Sequence, residues 1–339
     1  MTNITFPPNV KAGLLLAGDI GGTKALLGLV EAQAVAGPPR FIVKKKYACA
    51  EYATFSDLLV EYLAATGAKS GDIMGGCLAI AGPVSSDGRT AKFTNLPWMI
   101  DTEQICRASG IQRLTLANDF YAAAAGIDSV VEDDLVILQA GQPEPRGVRL
   151  VIGAGTGLGM ATLVPQVDSW RILPGEAGHT GFAPGNAQQA ALWSHLLEMK
   201  GRVSNEQVIS GHGIASIYRF IAGNNADPVL LDGTDPAAAI ATVAADDPDG
   251  DACRAMELFF SAYGAFAGDM ALALMATGGV FLSGGIAVKN LPLLQSSTFV
   301  REFNAKAEHA ALARRMPVKV VNDLELGLKG AAYLALTGD

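Results

Sequence analysis

The sequence predicts an α/β protein of two domains built on related halves. Three observations carry this. The chain has 339 residues, about twice a typical domain of roughly 100–200 residues. A short apolar run, a Gly/Thr-rich turn and a second apolar run occur twice, half a chain apart. Around these units, strand-like runs alternate with Ala-rich stretches of high helix propensity. Self-similarity of this kind points to two halves of related architecture.

The first unit starts with the apolar run 14–17, passes through Gly18-Asp19-Ile20-Gly21-Gly22-Thr23-Lys24, and resumes strand character over 25–30. The second starts at 149–152, passes through Gly153-Ala154-Gly155-Thr156-Gly157-Leu158-Gly159, and resumes over 160–164. A dinucleotide fingerprint needs G-x-G-x-x-G opening a helix, but position 160 is Met and the run it starts is strand-like. The P-loop pattern is absent as well. Each glycine loop is therefore expected at the tip of a β-hairpin.

The other elements come in order. Residues 75–81 and 114–117 read as strands, and Asn118-Asp119 opens an Ala-rich helix over 120–127. Residues 135–138 form another strand, and 140–146 a turn-rich connection. From 187 onward the pattern is mainly helical, interrupted by strands at 279–282 and 318–321. The segment 327–336 is a helix expected to return to the first domain. The expected division is a small domain of 1–130 plus 321–339 and a large one of 131–320.

Half the residues are apolar and 17% charged, which supports sizeable cores and argues against disorder. The net charge is −8, and the densest basic run is only Lys44-Lys45-Lys46. A nucleic-acid surface, which depends on clustered basic charge, is not expected. A single nucleotide is compatible with this balance, because backbone N–H groups and a metal can hold it. The four cysteines, Cys49, Cys77, Cys106 and Cys253, form no CxxC clip and read as buried thiols of a reducing compartment. Residues 1–11 have no apolar signal-peptide core. The longest apolar stretch, 255–288, is broken by Asp269 and glycines, so it reads as a buried helix and a strand. The expectation is a cytoplasmic protein with no membrane span.

Both glycine loops are candidate phosphate sites, each set against the plain alternative of a Gly-rich turn. In the first, Gly18, Gly21 and Gly22 free the backbone to aim N–H groups at an anion, Thr23 adds a hydroxyl and Lys24 a point charge. Asp19 would repel phosphate unless Mg²⁺ stands between them, which makes it the candidate metal ligand. The second loop, with Gly155, Thr156 and Gly157, has no acid and suits direct phosphate contact. Together they suggest a clamp on the β- and γ-phosphates from opposite domains. Gly284-Gly285 fits either close approach of a nucleotide base or a strand-to-helix turn.

Asn118 and Asp119 are both good helix N-caps, and capping can coexist with catalysis. Glu176 and His179 lie three residues apart in a Gly-rich loop with no third ligand for a metal. Carboxylates accept strongly from sugar hydroxyls, so a sugar site would use the pair well. The alternative is a solvated surface loop. Glu206 by itself reads as a helix-surface residue, and His195, His212 and His309 as structural. No G-x-S-x-G elbow is present to support a serine hydrolase.

As an ordered set, Gly18-Asp19-Ile20-Gly21-Gly22-Thr23, Asn118-Asp119-Phe120, Gly155-Thr156-Gly157-Leu158-Gly159, Pro174-Gly175-Glu176-Ala177-Gly178-His179 and Gly284-Gly285 resemble the bacterial glucokinase family. That family lies within the superfamily of sugar kinases, actin and heat-shock chaperone ATPases. The resemblance implies two ribonuclease H-like, actin-like α/β domains with an interdomain cleft. It implies ATP and Mg²⁺ as cosubstrates, glucose 6-phosphate as product, and a homodimer. By position it makes Asp119 the base that takes the proton of the sugar 6-hydroxyl. It makes Asn118, Glu176, His179 and Glu206 glucose contacts, with Asn95 a further one. Glu206 is matched through the Val208-Ile209-Ser210-Gly211 just beyond it. Residues 182–189 lack the cysteines of the zinc-bearing repressor–kinase relatives, and no helix-turn-helix precedes Asp19, so the likeness is to the zinc-free branch. That branch often has Asn where this chain has Lys24. Competing functions are a kinase for fructose, mannose or an N-acetylhexosamine, a sugar or nucleotide sensor, and an actin-like polymer subunit.

Overall fold

The apolar runs on either side of the first glycine loop pair with each other. β1 (Leu14–Ile20) and β2 (Lys24–Glu31) form an antiparallel hairpin with Leu14 opposite Glu31 and Ile20 opposite Ala25. The computed structural model describes residues 13–32, 38–93 and 96–338. β3 (Phe41–Ala48) lies antiparallel to β2, and β4 (Ile73–Ile80) parallel to β1. β5 (Thr90–Lys92) and β6 (Met99–Asp101) make a separate small hairpin. β7 (Leu114–Asn118) runs parallel to β4, giving the order β3-β2-β1-β4-β7. β1 is buried along almost its whole length, so it reads as a continuous apolar run rather than an alternating one.

The second half repeats this plan. β8 (Leu135–Gln139) is followed by the hairpin of β9 (Arg149–Ala154) and β10 (Leu158–Pro165) and then by β11 (Trp170–Gly175). β12 (Gly279–Ser283) runs parallel to β9, and β13 (Val318–Val321) parallel to β12. The sheet order is β11-β10-β9-β12-β13-β8. Its first five strands match the first sheet in order and direction, and β8 is an added antiparallel edge on β13. The half-chain repeat is thus a repeat of sheet topology.

The chain divides into two compact units, one running up to Val131 and resuming at Glu325, the other Glu132–Leu324. Val321 pairs with Leu135 in the second sheet, so the chain returns to the first unit a few residues beyond 321. The return is made by the helix Leu326–Thr337, which packs on β1, β4 and the helix Asp119–Ala125. A Cβ on Gly330 would lie 1.6 Å from the Ala122 carbonyl oxygen, so these two helices cross backbone against backbone. The Ala-rich helix stops at Gly126, whose own Cβ would meet the Gly330 nitrogen at 2.8 Å.

In the second unit the helix Asp251–Leu274 buries Phe259, Phe260 and Tyr263 completely. The Tyr263 hydroxyl donates to the Ile152 carbonyl at 3.3 Å, joining this helix to β9. The long apolar stretch is therefore a core helix followed by β12. Among the described residues no helix is long and apolar enough to cross a membrane. All four cysteines are free; Cys49 and Cys77 are buried, but Cys106 and Cys253 are only half-buried.

Candidate active site

In the first hairpin, the Gly21 N–H donates to the Lys24 carbonyl at 2.9 Å and closes the turn. Cys49 holds the loop from behind. Its N–H donates to the Thr23 carbonyl at 2.9 Å, and its thiol to the Gly21 carbonyl at 3.5 Å. With these carbonyls engaged, the side chains of Thr23 and Lys24 stand exposed. Gly18 lies inside β1 instead, where an added Cβ would be 2.6 Å from the Leu78 side chain. It serves strand packing rather than the turn.

Asp19 sits near the end of β1, between Leu26 of β2 and Ala79 of β4 in register. Its carboxylate lies over Gly327 in the first turn of the C-terminal helix, where a Cβ would be 2.7 Å from Oδ2. Burial pushes its pKa up from 3.8 to about 6. Desolvation disfavours the charged form, and a nearby cation would reverse that. Among the described residues no three His, Cys, Asp or Glu side chains gather as a metal cage. Mg²⁺ seldom needs one. It keeps several waters and binds through one or two carboxylates together with substrate phosphates. A desolvated carboxylate beside a glycine turn fits that mode of binding.

At the end of β7 the two cap candidates separate. Asn118 is the cap residue, its Oδ1 accepting from the Phe120 and Tyr121 N–H groups at 3.0 and 3.2 Å. A ligand at Asn118 would meet its amide N–H group. Asp119 is the first helical residue and half-buried, with its Oδ1 2.9 Å from the Phe120 nitrogen. Asn95 and residues 1–12 lie outside the described residues.

The second hairpin closes through Gly155 N–H donating to the Gly157 carbonyl at 2.8 Å. The Gly155 carbonyl in turn accepts from the Gly211 N–H at 2.8 Å, at the start of the helix Gly211–Ala222. Ser210 caps that helix, its hydroxyl oxygen accepting from the Gly213 N–H at 3.1 Å. Read as a helix-surface residue, Glu206 is misplaced. It lies half-buried in the turn before this helix, and its Oε2 accepts from the Leu158 N–H at 2.9 Å. Its own N–H donates to the Gly178 carbonyl at 2.9 Å, and that of Asn205 to the Thr180 carbonyl at 3.0 Å.

These bonds stitch three segments into one cluster: the second glycine loop, the turn bearing Glu206, and the loop bearing Glu176 and His179. Glu176 comes directly after β11, and the His179 Nε2 is 3.8 Å from its Oε2. Both side chains face solvent, 84% and 61% exposed, and the Arg202 guanidinium donates to the His179 carbonyl at 2.9 Å. Gly284 has a φ of +89°, and a Cβ there would be 2.7 Å from the Ala154 carbonyl oxygen. The strand-to-helix turn thus accounts for Gly284. Gly285 opens the next short helix, and a Cβ there would meet only Lys289 Cε at 3.8 Å. Sequence reasoning passes over Ser210 and Gly211 as site residues, although a Ser before Gly-His-Gly and an apolar helical run is a start signal.

A family model described as Glucokinase matches residues 16–337. The chain is 38% identical to a glucokinase of Nostoc punctiforme, over 95% of this chain and 98% of that one. It is 35% identical to a glucokinase of Mesorhizobium japonicum, over 98% and 93% of the two chains. Among solved structures, a glucokinase from an Antarctic psychrotroph superposes with a TM-score of 0.81 at 29% identity, covering 97% of this chain and all of that one.

Proposed function

The chain belongs to the glucokinase family, and on that premise we propose that it transfers the γ-phosphoryl group of ATP to the 6-hydroxyl of glucose. The products are glucose 6-phosphate and ADP. The observation that carries this reading is the cluster in the second unit, where two acids and a histidine share one scaffold with a glycine hairpin. Such a scaffold suits a hydroxyl-rich acceptor held close to a phosphate donor.

Each group then has a role. Glu176, His179 and Glu206 take hydrogen bonds from sugar hydroxyls, and Asn118 adds its amide N–H group. Asp119 accepts the 6-hydroxyl proton as the new O–P bond forms and the bond to the β-phosphate oxygen breaks. Because Asn118 supplies the cap oxygen, the helix start does not depend on Asp119 for capping. N–H groups at Gly22, Thr156 and Gly157 face the charge on the phosphates while those of Gly21 and Gly155 close the two turns, with Thr23 and Lys24 at the rim of the first loop. Gly285, where a Cβ would meet only Lys289 Cε, gives the nucleotide room, and Gly284 makes the turn that sets it there. Magnesium, bound through Asp19, would supply charge neutralisation on the phosphate oxygens. Free cysteines suit a reducing cytoplasm, and a homodimer belongs to the same reading.

The test is coupled detection of sugar 6-phosphate from ATP and Mg²⁺, with glucose beside fructose, mannose and N-acetylglucosamine. Turnover strongest with glucose is expected. Folded protein that binds ATP but phosphorylates none of these sugars would overturn the reading. Sedimentation in the same buffer tests the dimer.

A further inference from the structure

We infer that Gly157 is a positioning residue for the sugar, although it lies in the glycine loop assigned to phosphate. This rests on the reading of Glu206 as a sugar contact. The glycine is not there for backbone freedom, since its φ is outside the left-handed region. It is there for space. A Cβ at 157 would lie 2.5 Å from Glu206 Oε2 and 3.2 Å from its carboxyl carbon. At Gly155, in the same loop, a Cβ would meet nothing within 4 Å. The bare position at 157 therefore serves the carboxylate that reaches it from the turn after residue 204.

Glu206 uses Oε2 to accept from the Leu158 N–H, which leaves Oε1 as the oxygen to present to a sugar hydroxyl. A sugar that orders this carboxylate also orders Leu158, one residue beyond the loop tip. Coupling of this kind is reciprocal, so a loop fixed by phosphate also fixes the acid. A methyl group at 157 would break the link at little cost to the fold. The atom it strikes is the free end of a flexible side chain, which can swing aside. In swinging aside it leaves the Leu158 N–H and the sugar.

The test is calorimetric titration of glucose into the nucleotide-free protein, for the wild type, Gly157→Ala, Glu206→Ala and the double variant. Gly157→Ala is expected to weaken glucose about 10-fold, within the usual range of site-to-site coupling. In the Glu206→Ala background the same alanine should change affinity less than ~2-fold, because the interaction is already gone. An unchanged affinity in Gly157→Ala, or an equal loss in both backgrounds, would overturn the inference. A wild-type affinity for glucose in Glu206→Ala would instead overturn the sugar-contact reading beneath it. Amide exchange at Leu158 of the wild type needs no variant. Glucose should slow it more than ~5-fold, and no slowing would overturn the link.

Discussion

The two glycine hairpins share strand order, direction and a Gly/Thr-rich turn, yet they meet opposite electrostatic needs. The first carries its acid in its own strand, as Asp19 of β1, half-buried over Gly327, where desolvation pushes its pKa up to about 6. The second has no acid of its own. It receives one from Glu206, 48 residues further on, as an acceptor for the Leu158 N–H. A desolvated carboxylate is primed for a cation. A carboxylate already satisfied by a backbone donor can turn its other oxygen to a neutral hydroxyl. Repetition of the topology supplied two equivalent loops, and the placement of one carboxylate in each made them different.

In the proposed mechanism the hairpins handle charge and neither of them takes the proton. Asp119→Asn leaves both loops intact and should lower kcat by ~10²–10⁴-fold, the usual contribution of a general base. Near-normal turnover in that variant, measured by the coupled assay, would break the division of labour. Asp19→Asn tests the first loop alone. Turnover should fall by at least ~10–100-fold, the loss that follows removal of even an outer-shell partner of a metal ligand, while stability rises. The sign comes from the raised pKa. Between pH 3.8 and about 6 the folded state holds more protons than the unfolded one. Wild-type stability therefore falls through that window, by up to ~3 kcal/mol, and is flat above it. The Asn variant should lack this slope and be more stable at neutral pH, as read by denaturant titration across pH.

Gly330→Ala reaches the first loop indirectly. The added methyl would strike the Ala122 carbonyl and lift the helix whose first turn carries Gly327. A loss of ~1–3 kcal/mol is expected for such overpacking, with the pH slope shrinking as Asp19 gains solvent. A slope that persisted would mean that the C-terminal helix is not what buries Asp19. The smallest effect belongs to the second loop. Ser210→Ala removes the cap of the helix that holds the Gly155 carbonyl, at ~1 kcal/mol. Thermal unfolding should register it, with nucleotide affinity falling more than sugar affinity.

The hairpins are legible in the sequence because Gly/Thr turns between apolar runs have a local signature. The helix after Asn118-Asp119 is legible for the same reason, as cap, first turn and Ala-rich body are contiguous. The setting of Glu206 is not, because it depends on a hydrogen bond to a backbone N–H 48 residues away. A backbone donor leaves no mark in the sequence. Gly18 and Gly157 show the same limit from the other side. One glycine admits leucine side chains and the other a carboxylate, and nothing in either loop's sequence tells these uses apart. The added edge β8 is recognisable as a strand, but its pairing with β13 joins residues far apart in the chain.

The return of the C-terminal helix also sets an order for synthesis on the ribosome. Residues 132–324 form a unit that is continuous in the chain, so its sheet and helices can pack as they emerge. The first sheet has to wait. Its five strands are made early, but the helix that covers β1 and β4 and crosses the helix of Asp119 spans residues 326–337. Until that helix emerges, an apolar sheet face stays uncovered, which is the kind of surface that chaperones hold during translation. Asp119, the proposed base, reaches its final setting only when the last helix docks, so a nascent chain lacking that helix holds a formed second unit with Asp119 not yet in place.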